Sequence, residues 1–158
     1  MPQRLGKMDV EILRLLQNDA SLTTGAIAER LNLSQSPCWR RINRIEQAGY
    51  IKKRVALLDR RALGMEVVVF ATVNLTTDGR RRLEEFEASM ARHPEVVECY
   101  TMAGIWDYVL KIVTRDIAHY EAFVRNTLLS SPFIGELHSH IAVTEIKNST
   151  ELPIDTQL

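Results

Sequence analysis

The segment from Ser34 to Gln47 gathers the side chains best suited to recognising a polyanion. Wound as a helix, it puts Ser36, Arg40, Asn43, Arg44 and Gln47 on one side with Trp39 on the flank. Cys38, Ile42 and Ile45 then fall opposite, at four- and three-residue steps. Hydroxyls, amides and guanidiniums are the groups that reach base edges and phosphates. Ser34 or Ser36 can accept a first-turn backbone N–H, and Pro37 sits where a missing donor costs nothing. Gly49 offers a left-handed stop. A solvated charged face is the ordinary fate of such a run, and core filling is the alternative for Trp39. Polar Ser36 and Asn43 beside the arginines favour nucleic-acid contact. Ser34, Gln35, Ser36, Trp39, Arg40, Asn43 and Arg44 are therefore the candidate reading residues. Lys52 and Lys53, with Arg54, follow in an extended stretch, Tyr50 to Leu58, placed to meet phosphates.

Charge supports the same reading. Residues 1–61 hold 12 Lys and Arg against 6 Asp and Glu, and residues 62–158 hold 8 against 14, so a net charge of zero hides halves of +6 and −6. A basic module joined to an acidic one suits a polyanion-binding head on a body that stays off the polyanion.

Other chemistry is harder to find. There is no nucleophile with a placed base, no phosphate-binding glycine loop and no pair of carboxylates with a reason to differ in pKa, so no catalytic residue is assigned. His138 and His140 share one side of a strand but lack an evident third ligand, so neither a metal nor a cofactor is assigned. Cys38 and Cys99 read as small buried thiols, and Arg80, Arg81 and Arg82 as an exposed helix start without a role. The longest apolar run, Val67 to Val73, is too short for a bilayer, and the polar N-terminus lacks a signal core; a cytoplasmic protein without a membrane partner is expected.

Positioning these residues requires two domains. Met8, Ile12, Leu15 and Leu16 mark a first helix over 8–17. Thr23 or Thr24 can cap a second helix carrying Ile27, Ala28 and Leu31, and Asn32, Leu33 and Ser34 turn the chain into the third. That is a winged-type helix-turn-helix domain with a linker strand, residues 1–61. The rest alternates: a strand from Glu66 to Leu75, a helix from Asp78 to Arg92 with Leu83, Phe86 and Met90 on one stripe, and a strand from Val96 to Met102. The order then repeats with strand Tyr108–Val113, helix Asp116–Leu129 and strand Leu137–Ile146. An α+β chain results, its second domain (62–158) a ferredoxin-like β-α-β-β-α-β sheet with helices on one face. The other face, rich in apolar residues, needs a cover, and a second copy supplies one. A homodimer also matches two recognition helices to a pseudo-palindrome.

This layout resembles the Lrp/AsnC (feast/famine) transcriptional regulators over nearly the whole chain. Met8-Asp9-Val10-Glu11-Ile12-Leu13 looks like that family's first helix, and Leu33 to Ile42 followed by Glu46 and Gly49-Tyr50-Ile51 like its recognition helix. Val97 to Tyr100 and Ala103-Gly104-Ile105-Trp106-Asp107-Tyr108 are similar to the strand and turn of its amino-acid pocket. The resemblance implies a sequence-specific regulator that binds double-stranded promoter DNA. It also implies a homodimer that can assemble to tetramers or octamers, with an amino-acid effector held between subunits. Carried over by position, Met102, Gly104, Asp107, Tyr108, His140, Ile141 and Ala142 would line the pocket, with Asp107 either meeting the effector's ammonium group or only stabilising its hairpin turn. Ile105 departs from the acidic residue common there. An architectural protein that coats DNA and a metabolite sensor that binds none are the competing readings.

Overall fold

The structure, a computed structural model, describes residues 5–155, which divide into two compact units. One runs to Leu57 and takes back the tail from Lys147; the other spans Leu58–Ile146.

The first unit holds α1 (Lys7–Asn18), α2 (Thr24–Arg30) and α3 (Gln35–Gln47). The same closure ends both α2 and α3. Asn32 takes a left-handed φ of 52° and Leu33 N–H returns to Ala28 O at 2.8 Å; Gly49, at φ 77°, lets Tyr50 N–H return to Ile45 O at 3.2 Å. The Thr23 hydroxyl caps α2 by accepting from Ala26 N–H at 3.2 Å, whereas Ser34 takes the cap position of α3 without a side-chain capping bond. Val10, Ile12, Leu16, Ile27, Ala28, Cys38, Ile42 and Ile45 form the core. The buried stripe of α1 differs from the expected one: Asp9, Ile12 and Leu16 point inward, and Met8 and Leu15 are only half-buried. A carboxylate tops the stripe because α3 supplies its partners.

Compactness divides the chain elsewhere than at the expected 1–61 and 62–158. The tail from Lys147 packs with the first unit. Gln17 brackets Leu152, accepting its N–H at 3.0 Å and donating to its carbonyl at 3.2 Å, and Arg14 donates to Ile154 O at 3.0 Å. Residues 58–61 go to the second unit, where Asp59 nucleates a turn and Arg60 donates to Met65 O and Glu66 O. Residues 51–59 form no strand, so the expected linker strand lacks a ladder partner within the described chain.

The second unit holds β1 (Val67–Leu75), α4 (Thr77–Arg81), α5 (Leu83–Met90), β2 (Val96–Thr101), β3 (Tyr108–Thr114), α6 (Ile117–Phe123) and β4 (Ile134–Ile141). The sheet runs β2-β3-β1-β4, antiparallel throughout, which is the ferredoxin-like order. Alternation along β3 sends Tyr108, Leu110, Ile112 and Thr114 to the helix side, onto Val69, Ala71, Val73, Phe86, Met90 and Phe123. The helix expected over 78–92 breaks at Arg82 (φ −125°, ψ 46°), which leaves Leu83 exposed while Phe86 and Met90 stay buried. The next helix widens to a π-turn at Val124–Leu128. The last strand starts earlier and stops sooner than expected, because its pairing with β1 runs out after Ala142 N–H reaches Val68 O at 2.9 Å. Cys38 is buried as expected; Cys99 is exposed because β2 is an edge strand.

Gly79 fixes how α4 sits on the chain ahead of β4, since a Cβ there would lie 2.5 Å from Phe133 O. Gly79→Ala is expected to lower the unfolding free energy by about 1–3 kcal/mol in urea melts, the range for overpacking a close contact. An unchanged midpoint would show that this approach is slack.

Candidate nucleic-acid interface and effector surface

α3 presents the expected reading face. Ser34, Gln35, Ser36, Trp39 and Arg40 are exposed, Trp39 at 56 %, so it is not core filler; Asn43 is half-buried. The Arg40 guanidinium lies 3.4 Å from the Ser36 hydroxyl, one turn back along the helix. Lys52 and Lys53 are exposed just beyond, whereas Arg54 pairs with Glu46 at 2.6 Å.

Arg44 is differently placed from Arg40. Its Nη2 donates to Asp9 Oδ2 at 2.6 Å, Arg41 Nη1 donates to Asp9 Oδ1 at 3.0 Å, and Gly6 N–H donates to Oδ2 at 2.9 Å. Burial by itself raises the pKa of Asp9, but these bonds and the two positive charges outweigh it and hold the carboxyl below its ordinary value. Pro37, Arg40, Arg41 and Arg44 ring a shallow basic hollow of about 290 Å³. Sequence reasoning counted Arg41 among the cations of this helix but missed Asp9 as the partner of Arg41 and Arg44. Arg41 and Arg44 are three apart on one helix, but nothing in the sequence links them to a carboxylate 32 and 35 residues away.

The residues expected at the effector pocket do not meet in one chain. Met102 and Gly104 are exposed in the hairpin turn, where Gly104 takes φ 144°. Asp107 closes that turn onto the end of β1: its N–H donates to Val73 O at 3.0 Å, and its Oδ2 accepts Leu75 N–H at 2.8 Å and Arg80 Nη2 at 3.1 Å. His140, Ile141 and Ala142 pair with Phe70, Val69 and Val68, at the opposite end of β1. The five steps along β1 from Val68 to Val73 span about 16 Å at the rise of a strand. Tyr108 leaves this surface altogether. It is buried on the helix side, with its ring against Phe86 and its hydroxyl donating to Glu87 at 2.7 Å. Burial and that carboxylate push its pKa up to about 12. There it borders a hollow of about 450 Å³ with Met90, Val97, Cys99 and Thr101. His138 packs its ring 4.6 Å from that of Trp106 and meets Glu136 at 2.8 Å; among the described residues no three His, Cys, Asp or Glu converge as a metal site would need.

Comparison with known proteins places both units. Residues 5–52 match the winged helix-turn-helix DNA-binding model and residues 68–152 the Lrp/AsnC ligand-binding domain model. The chain belongs to the Lrp/AsnC family. It is 36 % identical to the transcriptional regulator AzlB of Bacillus subtilis over 96 % of both chains. Among solved structures, a transcriptional regulator of Neisseria meningitidis in complex with L-Met aligns at a TM-score of 0.92 and 35 % identity, covering 98 % of this chain and 99 % of that one. An AsnC family regulator of Agrobacterium tumefaciens gives 0.92 and 39 %, covering 98 % and 100 %. This Lrp/AsnC chain is thus a DNA-binding transcriptional regulator with an effector-binding second domain.

In this Lrp/AsnC chain the Asp107 carboxylate satisfies a backbone N–H and an arginine, which favours the turn-closing role over the ammonium-binding one. Asp107→Ala is expected to cost about 1–3 kcal/mol in chemical unfolding, the range for orphaning a partly buried donor. A stable variant that loses only effector affinity would reverse that assignment.

Proposed function

We propose that α3 enters the major groove, with Ser34, Gln35, Ser36, Trp39 and Asn43 at the bases and adjoining sugars and Arg40, Lys52 and Lys53 on phosphates. The observation that carries this is the exposed polar face of a helix whose opposite face is locked into the core and whose last turn closes at Gly49. Arg44 contributes with the nitrogens that Asp9 leaves unengaged.

We further propose that the chain acts as a homodimer, or a higher assembly of dimers, which a small amino acid modulates. Phe70 and Tyr100, 42 % and 57 % exposed, project with Val109 and Val113 from the face of the sheet that carries no helix. A second copy is the economical cover. The turn residues Met102 and Gly104 and the strand residues His140, Ile141 and Ala142 stand at opposite ends of one sheet. A pocket made from both sets must therefore draw one set from another protomer. L-Met is the first effector to try, since it occupies the Neisseria relative.

Fluorescence anisotropy with the duplex upstream of the protein's own gene and a scrambled duplex, with salt and amino acids varied, tests the reading. Preferential binding to the upstream duplex, a steep salt dependence and a shift with one amino acid are expected. Arg40→Ala should weaken binding and flatten the salt slope by about 1. Equal affinity for both duplexes would favour a DNA-coating protein, and no salt-dependent binding would leave a metabolite sensor.

A further inference from the structure

Groove reading does not account for the arrangement around Asp9. This carboxylate is 2 % exposed, and it holds two guanidiniums that remain 39 % and 45 % exposed, those of Arg41 and Arg44. With Arg40 and Pro37 these arginines line one hollow beside the reading face. Three unpaired arginines on neighbouring turns would form an indiscriminate phosphate clamp, because each free cation that neutralises a phosphate releases counterion whatever the base sequence. One shared carboxylate lowers the charge of that group from three to two. It also points one nitrogen of each of two guanidiniums inward, and a guanidinium so pinned loses the freedom to follow a backbone.

We infer that Asp9 is a positioning residue for sequence discrimination. By engaging Arg41 and Arg44 it withholds them from the phosphate backbone and leaves affinity to Arg40 and the polar side chains beside it. The inference rests on α3 being the DNA-reading helix. Lys52 and Lys53 still supply the sequence-independent part of binding, so the device limits non-specific affinity without abolishing it.

The test uses the full chain and the upstream and scrambled duplexes, by anisotropy over a range of salt. Asp9→Asn keeps the volume and an acceptor for Gly6 N–H but removes the charge. It is expected to bind the scrambled duplex about tenfold more tightly at low salt, with a salt slope steeper by about 1–2, and to lose most of its preference for the upstream duplex. A folded Asp9→Asn protein with an unaltered slope, or one weakened equally on both duplexes, overturns the inference. If Asp9→Asn does not fold, Arg41→Gln decides. It should leave the scrambled-duplex slope unchanged, while Arg40→Gln lowers it by about 0.9. A loss equal to that of Arg40→Gln overturns the inference. A wild-type protein that binds neither duplex overturns the DNA-reading assignment and this inference together, whereas wild-type binding with uniform behaviour of the variants overturns this inference alone.

Discussion

A carboxylate removed from water stays ionised only where donors replace the lost hydration, and Asp9 is the place in the helical unit where this requirement governs the packing. Its three donors come from the N-terminal turn of α1 and from two successive turns of α3. Hydrophobic contact between Ile12, Leu16, Ile42 and Ile45 holds the helices together but is non-directional, and it would tolerate some rotation of α3 about its axis. The bonds to Asp9 are directional, and they set which residues of α3 face outward. The reading face is consequently decided by an interaction on its neighbouring side. Breaking one side of such a buried group costs more than the bond itself, because the partner is left uncompensated.

Asp107 plays a comparable part in the second unit. There the carboxylate takes a backbone N–H from the end of β1 and the guanidinium of Arg80, tying the β2–β3 turn to the strand beside it. The hairpin that carries Met102 and Gly104 is thereby held in place while its own side chains stay exposed. The two units thus share one arrangement: an orienting carboxylate sits just behind an exposed surface. Aromatic and aliphatic residues do the bulk of the holding in both.

Much of this was legible in the sequence. The three helices, the turn at Asn32, the stop at Gly49 and the β-α-β-β-α-β order follow from periodicity and turn chemistry, which are local signals. What stayed hidden depends on contacts distant in sequence. Asp9 is only one residue of a family-like first helix until Arg41 and Arg44 are seen beside it, and Gln17 clasps Leu152 across 135 residues. Tyr108 joins Asp107 in the pocket only by resemblance to the family; along the strand, consecutive side chains alternate between faces, and its hydroxyl ends on the helix side. Likewise the turn and the end of β4 were joined by resemblance alone. The antiparallel register of β1 with β3 and β4 puts them at opposite ends of the sheet.

The most direct test of the account is the titration of the Asp9 carboxyl carbon by NMR in the full-length protein. Paired with Arg41 and Arg44, the group should titrate below its ordinary 3.8, and the stability it lends the fold should be present above that value and lost as the pH falls through the lower, folded-state one. Arg44→Gln should move the midpoint upward. A wild-type midpoint at or above 3.8, indifferent to Arg44→Gln, would mean that the carboxylate does not hold the recognition helix, and the account built on it would be wrong.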